Sequence, residues 1–294
     1  MTSQLSTALL PFALGVVMLG LGLTLTAADF ERVLVYPRAA LVALTCQLVL
    51  LPLVCLALVT AWGLPAVLAV GMMVLAASPG GATANLLSHL AGGDVALNIT
   101  LTAVNSVVSV VTLPVVVNLS VAHLLGDDPA LGLQPDKVGQ VFAIVLVPVL
   151  LGMLARRFAP VFAGRMQTPV RVASVIVLLL VIAAAVAQNS AVLGDGLRTV
   201  GPVTLVFAAL SLAVGYLVPR ALRVRRGQAI ASSMEIGIHN AVLGITIALS
   251  PALLDLPEAA VPPAIYGLLV YLPAGLFAAY LARSSAKDTA RPDA

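Results

Sequence analysis

The chain has 294 residues, of which 61% are hydrophobic and only 9% charged, and its mean hydropathy is +1.11. Ordinary soluble domains carry about a quarter charged residues, so lipid, not water, is the solvent for most of this sequence. The short alternating segments of a membrane β-barrel are absent, and a net charge of +3 reflects loop topology better than nucleic-acid binding.

About 20 apolar residues cross a bilayer as a helix. Applied along the chain, that rule predicts an all-α polytopic protein with nine transmembrane helices, near 7–27, 37–61, 65–92, 94–119, 138–157, 169–188, 201–219, 227–250 and 260–283. The first run has no basic start and leads directly into a charged loop, so it reads as a span and not as a cleaved leader. Connections are short, which leaves a single transmembrane domain with a tail at 284–294. Of the fifteen Lys and Arg residues, thirteen fall on one set of connections and only Lys137 and Arg198 on the other. The positive-inside rule then places the N-terminus outside and the C-terminus in the cytoplasm, for a chain in the cell's inner (plasma) membrane. Cys46 and Cys55 lie nine residues apart on the second span, or roughly 13 Å by helical rise, too far for a disulfide between them.

Two spans are interrupted. The third contains "SPGGATAN" (78–85) and the eighth "EIGIHN" (235–240). Each broken span is followed by one more, so 1–123 reads as a first repeat of four helices and 138–283 as a second repeat of five. Spans three and eight run in opposite directions, the pattern of an inverted repeat whose discontinuous helices cross near the midplane and form an ion and substrate site. Non-helical backbone at that depth survives only when buried in protein or lining a watery cavity.

Eleven of the twelve acids fall in loops, tails or at a span start; Glu235 alone lies inside a span. An ionisable group there costs a few kcal/mol on the lenient insertion scale, which points to a cation ligand or proton carrier. Asn98, Thr102 and Asn105 share one face of the fourth span. They serve either as interhelical glue or, with Asn85 and Glu235, as oxygen ligands for a cation. Gln47 in the second span has the same two readings. His239 either caps exposed carbonyls or titrates during transport, whereas His89 and His123 sit near span ends and read as interfacial.

The motifs "VVMLGLGLTLTAADF" (16–30), "SPGGATANLLSHLAGGDVALNITLTAVNS" (78–106) and "MEIGIHNAVLG" (234–244) resemble the bile acid:sodium symporter family over nearly the whole chain. The resemblance implies a core and a panel domain moving against each other, and one or two sodium ions bound behind the crossing. A first site would use Asn85, Thr102 and Glu235 with the positions of Ala84 and Asn98, where the family has small hydroxyl residues. A second would use Gln47, Glu235, the Ile236 and Ile238 carbonyls and His239, where the family has glutamine. Neutral imidazole suits a hard, oxygen-seeking cation poorly; a proton on His239 would replace the second sodium, or coupling would drop to one ion. Substrate positions carried over are Ala82, Thr83, Asn240, Val270 and Tyr271.

The expected function is sodium-coupled symport of an organic anion, a carboxylate attracted to the half-helix N-termini, by alternating access across the lipid bilayer. Proton coupling through His239 and Glu235 is one alternative. Arsenite-type efflux is another, although Cys46 and Cys55 lie one helix away from the breaks. An intramembrane enzyme is not expected, because two acids or a His-Glu-x-x-His pattern are lacking and no motif supports Ser232 or Ser233 acting with His239.

Overall fold

A computed structural model describes residues 14–126, 135–170, 190–250 and 253–289, with a few isolated positions besides. Among the described residues every regular element is a helix. In chain order they are α1 Leu14–Gly22, α2 Ala27–Glu31, α3 Pro37–Trp62, α4 Ala66–Ala77, α5 Ala82–Leu90, α6 Val95–Leu125 and α7 Pro135–Phe158. There follow α8 at 160–170, α9 Ser190–Ala221, α10 Arg226–Gly237, α11 Ala241–Leu249, α12 Val261–Leu269 and α13 Tyr271–Thr289.

Four of the described helical stretches are long and apolar enough to cross a membrane: Pro37–Trp62, Val95–Leu125, Gly196–Ala221 and Pro257–Ser284. A fifth candidate is the pair Leu14–Gly22 and Ala27–Leu34, bent by 78°. The expected first span, 7–27, therefore ends earlier than its hydropathy suggests. Thr26 and Asp29 form a capping box that starts a new helix, and Asp29 also pairs with Arg32. Most of the expected span at 169–188 lies outside the described residues. Large apolar side chains such as Leu53, Leu119 and Leu151 remain exposed on the outer faces, as a hydrocarbon solvent allows.

Local sequence explains the irregularities. Pro52 has no N–H to donate to the preceding turn, and that turn, Cys46–Leu50, widens to a π-helix. Ser78 precedes Pro79, which disfavours helical backbone at Ser78; its φ and ψ of −75° and 144° are extended. Asp94 caps α6 by accepting from Leu97 N–H at 3.0 Å, as its place at a span start predicts. Close helix contacts use small residues: a Cβ on Gly152 would lie 2.7 Å from Gly22 C.

The two broken spans pack reciprocally. Helix α4, which enters the first break, contacts α11, which leaves the second; α10, entering the second break, contacts α5, leaving the first. Around this crossing, α6 packs against both α4 and α10, and α9 against α10 and α12. A cluster containing Met72, Leu75, Phe207, Met234 and Tyr266 fills the space between them.

Candidate functional site

At the crossing, the two extended breaks pair with each other. Gly80 and His239 form an antiparallel bridge, fastened by Gly81 N–H to Ile238 O at 2.7 Å and Asn240 N–H to Pro79 O at 2.9 Å. This is the narrow, non-hydrogen-bonded type of antiparallel pair, with the hydrogen bonds made by the flanking residues. Four backbone groups that the helices release are thereby satisfied inside the protein. Gly80 has a further reason to lack a side chain: a Cβ there would overlap Glu235 Oε1 and Cδ, and lie 2.7 Å from Glu235 O.

Glu235 is fully buried in the last turn of α10. Its Oε2 accepts from the Thr102 hydroxyl at 2.6 Å, with Asn98 O as a second acceptor for that hydroxyl at 3.0 Å. Asn105 Nδ2 reaches Oε1 at 3.5 Å. The polar face of α6 thus meets the acid directly, as the spacing of Asn98, Thr102 and Asn105 predicts. Among the described residues no ion pair is recorded at Glu235. A buried carboxylate without a cation carries an uncompensated cost of several kcal/mol.

The two amides of α6 each donate through Nδ2 and leave their oxygens open. Asn98 Nδ2 donates to Ala231 O at 2.7 Å, while Asn98 Oδ1 and Asn105 Oδ1 are buried without a hydrogen-bond partner. Asn85 Oδ1, on α5 where it packs against α10, is likewise without one. A carboxylate and open amide oxygens on adjoining helices are hard donors, the kind that suits an alkali or other oxygen-seeking cation. Among the described residues no group of three His, Cys, Asp or Glu side chains is placed to hold a metal. Ala84 is fully buried and contributes no side-chain oxygen.

A second polar group forms on the other side of the bridge. Gln47, brought inward on the π-turn, donates through Nε2 to Ser78 O at 3.0 Å, and His239 Nδ1 lies 3.3 Å from the same oxygen. The imidazole is stacked on Phe207 with ring centroids 5.3 Å apart and tilted against Tyr266 at 5.6 Å. Tyr266 in turn donates its hydroxyl to Gly237 O at 2.6 Å. Ile236 and Ile238 are buried at the break, and the Ile238 carbonyl already accepts from Gly81.

The residues expected to meet substrate spread over the openings of α5, α11 and α13. Asn240 caps α11, its Oδ1 accepting from Leu243 N–H at 3.0 Å. Ala82 is the first residue of α5, whose N-cap Gly81 supplies no side-chain bond. The Thr83 hydroxyl lies 3.4 Å from that of Tyr271, which is 44% exposed, whereas Val270 is 2% exposed and packed in the core. Ser233 donates to Leu212 O at 2.7 Å, and the described partners of the His239 ring include no serine hydroxyl. Cys55 is buried with its thiol toward Met72 O at 3.4 Å, and Cys46 is buried as well.

Sequence reasoning missed the Ser78 carbonyl, Phe207 and Tyr266. Ser78 carried a signal in the proline that follows it. Phe207 and Tyr266 carried none, being aromatic residues in otherwise apolar spans.

Known proteins resemble this chain in sequence. The chain is 26% identical to an uncharacterised sodium-dependent transporter of Bacillus subtilis over 94% of its own length and 84% of that protein's. It is 29% identical to a probable chloroplastic sodium/metabolite cotransporter of Oryza sativa, over 84% of this chain and 58% of that one. To the human sodium/bile acid cotransporter 4 it is 38% identical over 102 residues, 35% of this chain and 23% of the human protein. The model of the sodium bile acid symporter family matches residues 11–195, well over half of the sequence, and the chain belongs to that family.

Proposed function

We propose that the protein is a sodium-coupled symporter for an organic anion, working by alternating access. Its cation site is centred on Glu235, with Asn85, Asn98, Thr102 and Asn105 around it. The observation that carries this reading is the fully buried Glu235 carboxylate, without a cationic partner among the described residues, while the two helices packed on α10 carry three buried amide oxygens that accept no hydrogen bond. A sodium ion supplies the missing charge and fills those open lone pairs. In its absence the cost of the buried acid works against the closed arrangement, which gives the ion leverage over the conformational equilibrium. Relatives named as sodium-dependent transporters and cotransporters fit the same reading.

The substrate belongs at the outer ends of the half-helices, near Ala82, Thr83, Asn240 and Tyr271 with Val270 behind them. The first N–H groups of α5 have no side-chain cap, and helix N-termini favour anions. A small 2-hydroxy or 2-keto acid, or a steroid-like carboxylate, matches that polarity. The reciprocal packing of the broken helices is what an inverted repeat of four and five helices, nine spans in all, would produce. Such a repeat rocks core against panel in the inner membrane, with the N-terminus outside.

Proteoliposomes carrying the purified protein and an inward sodium gradient test this reading against a panel of radiolabelled carboxylates. Accumulation that requires sodium and is lost in Glu235→Ala is the expected result. Uptake independent of sodium and unchanged in that variant would overturn the proposal.

A further inference from the structure

The two polar groups flanking the Gly80–His239 bridge differ in the kind of atom they leave open. In the group around Glu235 three amide oxygens remain open: Asn85 Oδ1, Asn98 Oδ1 and Asn105 Oδ1 have no hydrogen-bond partner. Around Ser78 the backbone oxygens are already engaged by N–H donors, and the side-chain atoms left without a partner are Gln47 Oε1 and His239 Nε2, one oxygen and one nitrogen. Ser78 O receives Gln47 Nε2 at 3.0 Å and faces His239 Nδ1 at 3.3 Å. Ile238 O receives Gly81 N–H at 2.7 Å, and Pro79 O receives Asn240 N–H at 2.9 Å. Gln47 Oε1 is the one oxygen of this group left without a partner.

The histidine adds to this. A carbonyl oxygen has no hydrogen to give, so His239 Nδ1 carries the ring hydrogen and Nε2 holds the lone pair. That lone pair is a nitrogen donor, which a hard cation accepts poorly. The ring is held by the Phe207 stack at 13° between planes and by Tyr266, and among the described residues no carboxylate pairs with it. Glu235 is also the sole acid at the crossing, and one monovalent cation neutralises it; a second would depend on the substrate for its counter-charge.

We infer that this protein binds and moves one sodium ion per cycle, at Glu235, and that the Gln47–Ser78–His239 group is a fixed polar joint between the broken helices and not a second cation site. The inference rests on the reading of the Glu235 group as the sodium site.

Equilibrium binding of radioactive sodium to the full-length protein in detergent micelles tests it with the ion alone. Binding should saturate at one ion per chain, with a Hill coefficient of about 1, and should be abolished in Glu235→Gln. His239→Phe, which retains a ring to stack on Phe207, should still bind one ion per chain. Two ions per chain in the wild type overturn this inference and leave the sodium site at Glu235 standing. Loss of all binding in His239→Phe also overturns it, by making the histidine part of the site. No saturable binding in the wild type, or binding untouched in Glu235→Gln, overturns the Glu235 reading and this inference with it.

Discussion

Replacing Glu235 with glutamine isolates the charge from the shape of the site. Glutamine has nearly the same volume, and its oxygen still accepts from the Thr102 hydroxyl that now lies 2.6 Å from Oε2. What disappears is the negative charge. A unit charge pair about 4 Å apart at an effective dielectric of about 20 is worth about 4 kcal/mol. At about 1.4 kcal/mol per factor of ten, sodium affinity in the variant should fall on the order of a thousandfold. Thermal unfolding in detergent, with sodium exchanged for choline at constant ionic strength, reads this directly. At a sodium concentration about a hundred times its dissociation constant, the wild type gains about 2.7 kcal/mol. The variant at that same concentration gains less than about 0.1 kcal/mol. Without sodium the order should invert: Glu235→Gln melts higher than wild type, because it no longer buries an unpaired charge. A variant that keeps the full sodium-dependent shift would refute the assignment of Glu235 as the charge that holds the ion.

Two further substitutions probe the crossing and its mouth. Gly80→Ala places a methyl group against the Glu235 carboxylate, an overpacking that costs about 1–3 kcal/mol. The melting temperature should drop and the sodium-dependent shift shrink together, and an unchanged shift would mean that Gly80 does not confine the acid. Tyr271→Phe removes the hydroxyl that faces Thr83 at 3.4 Å. If these residues border the substrate, KM for the transported anion should rise several-fold, consistent with a hydrogen bond of about 0.5–1.5 kcal/mol, while sodium affinity stays within about twofold. Equal effects on both ligands in transport and binding assays would move Tyr271 out of the substrate site.

Much of the architecture was readable from the chain because lipid imposes simple rules. Four of the expected apolar runs are helices long enough to cross a membrane, and Glu235, an acid in an apolar stretch, is fully buried on a helix. The breaks were readable too, since Pro79, Gly80, Gly81 and Gly237 disfavour continuous helix. The i, i+4, i+7 spacing of Asn98, Thr102 and Asn105 placed them on one face, and two of the three now touch Glu235. The bend after Gly22 escaped this reading because hydropathy does not register a capping box, and Thr26 with Asp29 is a purely local hydrogen-bond decision.

Sequence alone therefore determined the solvent, the helices, the two interruptions and the acid, because each depends on the composition of one short segment. Only the tertiary structure decided which atoms stay open. Whether an amide turns its oxygen or its nitrogen to the cavity depends on acceptors from distant segments, as when Ala231 O takes Asn98 Nδ2 across 133 positions. The same holds for His239, whose nitrogen is drawn to the Ser78 carbonyl 161 positions away and whose ring is fixed between Phe207 and Tyr266. Those partners meet only when two broken helices from opposite halves of the chain cross.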